Sequence, residues 1–142
     1  MTMQHITIPL QPYTEPQRLW MERSAAAIDR YLDATYGDEP DARALDSMFL
    51  HVAADVIWDV APSSPDWRRL SVMRLLLYLA NAPCWDEAFL LHACAAVAAF
   101  YRWLTGQGLV RQDEIAAILD DLDRRIAETL ASLGVGPSVL AN

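Results

Sequence analysis

Glycine and proline cut this chain into pieces of helix length, and that punctuation constrains the fold more than any other feature. Gly37, the pair Pro62 and Pro65, Pro83, the pair Gly106 and Gly108, and Gly134 each interrupt sequence whose apolar residues recur at three- and four-residue spacing. Proline lacks the backbone donor that a helix interior requires, and glycine enters the left-handed region that ends many helices without a steric penalty. Periodic apolar segments between such breaks predict amphipathic helices. The expected fold is therefore all-α: a single-domain bundle of about five helices, whose short loops make sequence neighbours mostly antiparallel.

The first helix opens at Thr14-Glu15-Pro16-Gln17, where Thr14 can cap free amides and Pro16 suits the first turn. It is expected over residues 15–36, with Trp20, Ala27, Tyr31 and Ala34 as its stripe and Ile28 and Leu32 beside it. Acids at Asp38, Glu39 and Asp41 suit the positive end of a second helix, whose core face reads Leu45, Phe49, Val52, Val56 and Val60. Ser64-Pro65-Asp66 predicts the cap of a third helix. From Leu70 to Ala80 that segment is apolar all round apart from Arg74, the pattern of a helix at the centre of a bundle. A fourth helix is expected over residues 84–105, and a fifth over 112–133 with Ile115, Leu119, Leu122, Ile126, Leu130 and Leu133 along one face.

Residues 1–13 read as an extended arm, because His5, Ile6, Thr7 and Ile8 have strand character while Pro9 and Pro12 exclude a helix. The bundle domain is bounded at residues 14–134, and residues 135–142 read as a flexible tail.

Composition narrows the function classes. The formal charge is -8, and all 11 cationic residues are arginine, which excludes lysine Schiff-base chemistry and a phosphate-loop lysine. No basic run is present to neutralise phosphates, so direct nucleic-acid binding is not expected. An acidic surface disfavours anionic membranes, and the uncharged run Ala88–Tyr101 is too short to span a bilayer. The first residues lack a basic start followed by a long apolar stretch, so the expected location is cytoplasmic. Arginine without lysine, together with abundant alanine, suits a bacterial source of high GC content. Cys84 and Cys94 would lie about 15 Å apart on one helix, beyond disulfide reach, and are expected to be free thiols.

Three groups of residues carry possible chemistry. The stretch HVAADVIWD sets His51, Asp55 and Asp59 at four-residue intervals, a spacing at which helical neighbours can share a metal ion. Against this, a divalent ion wants three or four converging ligands, and the stripe drifts around the helix. Asp55 and Asp59 also stand in the last turns of their helix, where the macrodipole disfavours acids. A cation from Arg68, Arg69 or Arg74 should therefore face them. Arg74 is expected to be partly buried and paired with a carboxylate, Asp55 first and Asp59 or Glu87 next, since an unpaired buried charge costs several kcal/mol. The third group is a pocket between the third and fourth helices, lined by Arg74, Tyr78, His92 and Trp58, able to take a small molecule or an anion. His92 itself stands among Ala88, Ala95, Ala96 and Ala99, which predicts a close helix approach with one hydrogen bond across it.

The segment FYRWLTGQGLVRQDEIAAILDDL, residues 100–122, resembles a helix, glycine turn and helix unit of bacterial helical domains, and is similar to the core-binding helices of tyrosine recombinases. The resemblance covers 23 of 142 residues and implies a helical hairpin. The acidic surface departs from a DNA-binding module, so no activity is carried over from it.

Taken together, these features favour a non-enzymatic helical interaction or regulatory protein. It is expected to be a homodimer, joined through the arm and the seam of the last helix, with a further protein partner as its target and no cofactor. The alternatives are the anion or small-molecule bundle near Arg74 and His92, and a metal-dependent enzyme using His51, Asp55 and Asp59.

Overall fold

The computed structural model of the chain describes residues 14–83 and 85–134, so the arm, the tail and Cys84 lie outside the described residues. Five α-helices follow one another: α1 (Glu15–Tyr36), α2 (Pro40–Val60), α3 (Val72–Ala80), α4 (Glu87–Gly106) and α5 (Gln112–Ser132). A 3-10 turn at Trp67–Arg69 stands between α2 and α3, and no strand occurs among the described residues. The all-helical bundle read from the sequence is the observed fold.

Local sequence explains the helix ends. The Gln17 amide donates to Thr14 Oγ1 at 3.3 Å, and α1 closes at Gly37, whose φ of 57° lies in the left-handed region. Asp86 caps α4 by accepting from the Phe89 amide at 2.8 Å. At the start of α5 the Arg111 amide donates to Glu114 Oε1 at 2.9 Å, and the Arg68 guanidinium reaches the same carboxylate from across the loop. Both bonds hold the Glu114 carboxyl below its usual range, the backbone bond contributing most.

Two antiparallel hairpins form the body. In one, α1 lies along α2; in the other, α5 lies along α4, as shown by Arg102 pairing with Asp123 near one end and Ser132 meeting Glu87 at the other. The hairpins meet where α2 packs on α4. Ala93, Cys94, Ala96, Val97 and Ala98 are buried along α4, because small side chains let three neighbouring helices approach it closely. By length and mean hydropathy, 1.3 over its best window, α4 could cross a membrane; here it forms the middle of the bundle.

An aromatic cluster ties the loop to both hairpins. Trp67 lies 5.1 Å from Trp20 and 4.8 Å from Phe100 between ring centroids, and its carbonyl accepts the Tyr101 hydroxyl at 2.5 Å. Phe100 meets Tyr31 edge-on at 5.4 Å. Such pairs contribute roughly 0.5–1.5 kcal/mol each beyond their area burial.

Four sequence expectations need correction. Asp66 caps only the 3-10 turn, accepting from the Arg68 amide; Leu70 is extended and Ser71 opens a separate, nine-residue α3. The short α3 is peripheral rather than central: Val72, Leu75 and Leu79 are buried, while Met73 and Leu77 are open to solvent. On α1, Ile28 and Leu32 belong to the core and Ala34 is exposed. The seam of α5 is not free for a second chain, because Ile115, Ile118, Leu122 and Leu130 are buried inside this one.

Candidate binding groove between α1, α2 and α3

The chain crosses from α2 to α3 through an extra turn anchored by Trp67, and this decides which side chains face one another. A direct hairpin would have set the start of α3, and Arg74, against the last turns of α2. Instead Tyr78, one turn further on, meets α2: its hydroxyl donates to Asp59 Oδ2. Arg74 is exposed and offers only its backbone N–H to a hydrogen bond, with Ser71 Oγ, among the described residues. The expected Arg74–Asp55 ion pair is therefore not formed. Arg68 and Arg69 are engaged elsewhere, with Asp66 and, for Arg68, Glu114.

A groove of about 300 Å³ results, lined by Gln17, Trp20 and Met21 of α1, Asp55, Trp58 and Asp59 of α2, and Tyr78 of α3. Four residues singled out in the sequence converge here, but from two different predictions. Asp55 and Asp59 came from the metal stripe, Trp58 and Tyr78 from the ligand pocket. Trp20 was assigned to the core alone. Its indole N–H donates to the Ala54 carbonyl at 3.0 Å, which fixes the ring at the back of the groove.

The groove is electronegative. Asp59 is held by Tyr78, and Asp55 faces the same space with no ion pair among the described residues; partial burial pushes its carboxyl above the usual range, the neighbouring His51 opposes this and the Asp59 charge adds to it. None of the described residues lining the groove is cationic. The ring of Trp20 already carries one cation, with the Arg23 guanidinium 5.6 Å from the centroid. Carboxylates set among aromatic faces can hold a guanidinium or ammonium group by charge and by attraction to the ring quadrupole.

The metal stripe does not close. No group of three or more His, Cys, Asp and Glu side chains able to hold a metal ion occurs among the described residues. Along the helix axis His51 stands about 12 Å from Asp59, with a drift of roughly 80° around it. His51 is exposed and does not line the groove.

The residues of the expected Arg74–His92 pocket lie apart among the described residues: His92 stands at a depression with Tyr31, Tyr36 and Asp46, Trp58 and Tyr78 line the groove, and Arg74 lines neither. His92 makes the predicted bond across a helix interface: Nε2 stands 3.2 Å from Asp46 Oδ1, while the Tyr36 hydroxyl donates to Oδ2. That bond is the chief reason the Tyr36 phenol is raised above its usual range. Asp46 is only 2% exposed and is a site residue beyond those expected from the sequence. Its signal was available, since position 46 precedes Phe49, Leu50 and Ala53 by three, four and seven residues and so lies on the buried stripe of α2. Cys94 is also buried, and burial pushes its thiol up to about 11, so it is no nucleophile at neutral pH.

Compared with protein-family models, curated proteins and solved structures, the chain gives no match to any of them.

Proposed function

We propose that the chain is a non-enzymatic helical interaction protein whose groove between α1, α2 and α3 receives a cationic side chain, arginine or lysine, from a protein partner. The observation that carries this reading is Asp55 and Asp59 set beside Trp58 and Tyr78 around a single cavity that contains no cation among its described lining residues. A guanidinium entering it finds one carboxylate without an ion-pair partner among the described residues, a second at its side, and aromatic faces on which its plane can stack. An anion entering the same space meets two carboxylates and no cationic side chain among the described lining residues.

The test uses Nα-acetylarginine amide and its neutral isostere Nα-acetylcitrulline amide as probes on the full chain, followed through the indole N–H resonances of Trp20 and Trp58. The arginine probe is expected to shift Trp58 saturably with a dissociation constant on the order of 1 mM, about 4 kcal/mol of binding, and the citrulline probe to leave it in place. Asp55→Asn with Asp59→Asn should erase the difference. Equal shifts with both probes, or a response unchanged in the double variant, would refute the proposal.

A further inference from the structure

The helix that closes the acidic groove has a second side. Met73, Leu76, Leu77 and Ala80 recur along α3 at i, i+3, i+4 and i+7 and form one wall of a cleft of about 270 Å³, with Trp85 and Leu90 opposite. Met73 is 68% exposed and Leu77 58%, the two most open large apolar side chains on the described surface. Two turns of apolar anchors at this spacing are the pattern with which a groove accepts one face of an amphipathic helix.

Charge selects which helix. Arg125 of α5 lines the cleft on its far side, and its guanidinium stands 3.7 Å from Glu128, longer than a hydrogen bond. On the near side Arg74 projects roughly 60° beyond Leu77 around α3, exposed and with no side-chain hydrogen bond among the described residues. The sequence from Trp67 to Trp85 carries three arginines and no acid, in a chain whose formal charge is -8. An apolar strip between two guanidiniums is thus set into an otherwise acidic molecule.

We propose that this cleft docks an acidic amphipathic helix of a protein partner, its apolar face on Met73, Leu76, Leu77 and Ala80 and its flanking carboxylates on Arg74 and Arg125. The proposal stands whether or not the groove on the other side of α3 binds a cation. It also gives Arg74 a place. A charge exposed beside an apolar strip is well placed to meet an incoming carboxylate.

The experiment titrates the full chain with a synthetic helix about 16 residues long, leucine at i, i+3, i+4, i+7 and i+11 and glutamate at the flanking positions. The same helix with lysine for glutamate serves as control, and binding is read by calorimetry. Net charge alone favours the lysine helix, so preference for the glutamate helix reports the cleft itself. The glutamate helix is expected to bind more tightly, with Arg74→Met and Arg125→Met each weakening it about two- to fivefold and Leu77→Asp by more than about tenfold. Should Leu77→Asp impair folding by thermal melt, the paired arginine substitutions carry the test. The proposal is overturned by equal binding of the two helices or tighter binding of the lysine helix, by an affinity that ignores both arginines, or by a dimer of the chain dispersed by Leu77→Asp, which makes a second copy the occupant. Tighter binding after removal of residues 1–13 also overturns it, by assigning the cleft to the arm.

Discussion

The two sides of α3 differ in almost every physical respect although they belong to the same nine residues. Toward α1 and α2, Tyr78 closes a space that is aromatic and negatively charged. Toward α4 and α5, Met73 and Leu77 stand open in a strip that is apolar and bordered by arginines. A helix with this distribution looks, in sequence, as though it were buried on all sides. What separates the two cases is only which neighbours are present. Apolar residues all round a helix report an unusual demand for contact, and either the core or a partner can meet it.

The largest expected effect comes from removing what holds the two sides together. Leu75 is fully buried and pins α3 to the body, so Leu75→Ala should destabilise the chain by about 2–5 kcal/mol in urea denaturation and weaken both proposed binding events together. If one survived intact, the two sides would not share α3 as a wall.

A smaller effect separates them by pH. Asp55 holds its proton more tightly in the folded chain than in the unfolded one, chiefly through burial, so the native state binds more protons as the solution enters the range just above ordinary carboxylates. The stability contributed by this group is present below the unfolded pKa and is lost as pH rises through the folded value. Asp55→Asn should therefore leave the chain at least as stable at pH 7 as the parent, while flattening the loss of arginine-probe binding on acidification. In the parent that loss should begin at a higher pH than an ordinary aspartate would give. Denaturation and probe titrations between pH 3.5 and pH 7, bracketing the ordinary aspartate range, check both. A less stable Asp55→Asn variant would mean that Asp55 has a stabilising partner.

The smallest effect concerns Arg74. A buried ion pair would make Arg74→Met costly, whereas an exposed arginine without a partner predicts a change within about 0.5 kcal/mol. Chemical denaturation distinguishes the two, and a larger loss would return Arg74 to a structural role.

Much of the candidate site was legible as residues and illegible as an arrangement. Asp55, Trp58, Asp59 and Tyr78 were all singled out, yet as parts of a metal stripe and of an anion pocket. The stripe was read from spacing along one helix, which says who is adjacent on that helix but not what stands across from it. The pocket assumed that α3 folds straight back on α2. Trp67 prevents this, because its ring is drawn into the core beside Trp20 and Phe100 and takes the chain through a 3-10 turn before α3 begins. The single bond of His92 across a helix interface is legible from the small residues around it, but its partner Asp46 is much less so, because acids seldom lie on the buried stripe of a helix.

The sequence by itself determined the helices. Glycine and proline placement, capping residues and apolar periodicity act over a few residues, and the ends of α1, α2 and α5 fall within one or two positions of where those signals put them. Only the tertiary structure decided that α4 forms the centre and α3 the edge, that Tyr78 rather than Arg74 faces Asp59, and that the acids and aromatics share one cavity. Those outcomes depend on how a single buried tryptophan positions a loop between distant elements, and packing of that kind is set by the shapes of side chains far apart in the chain, not by any local pattern.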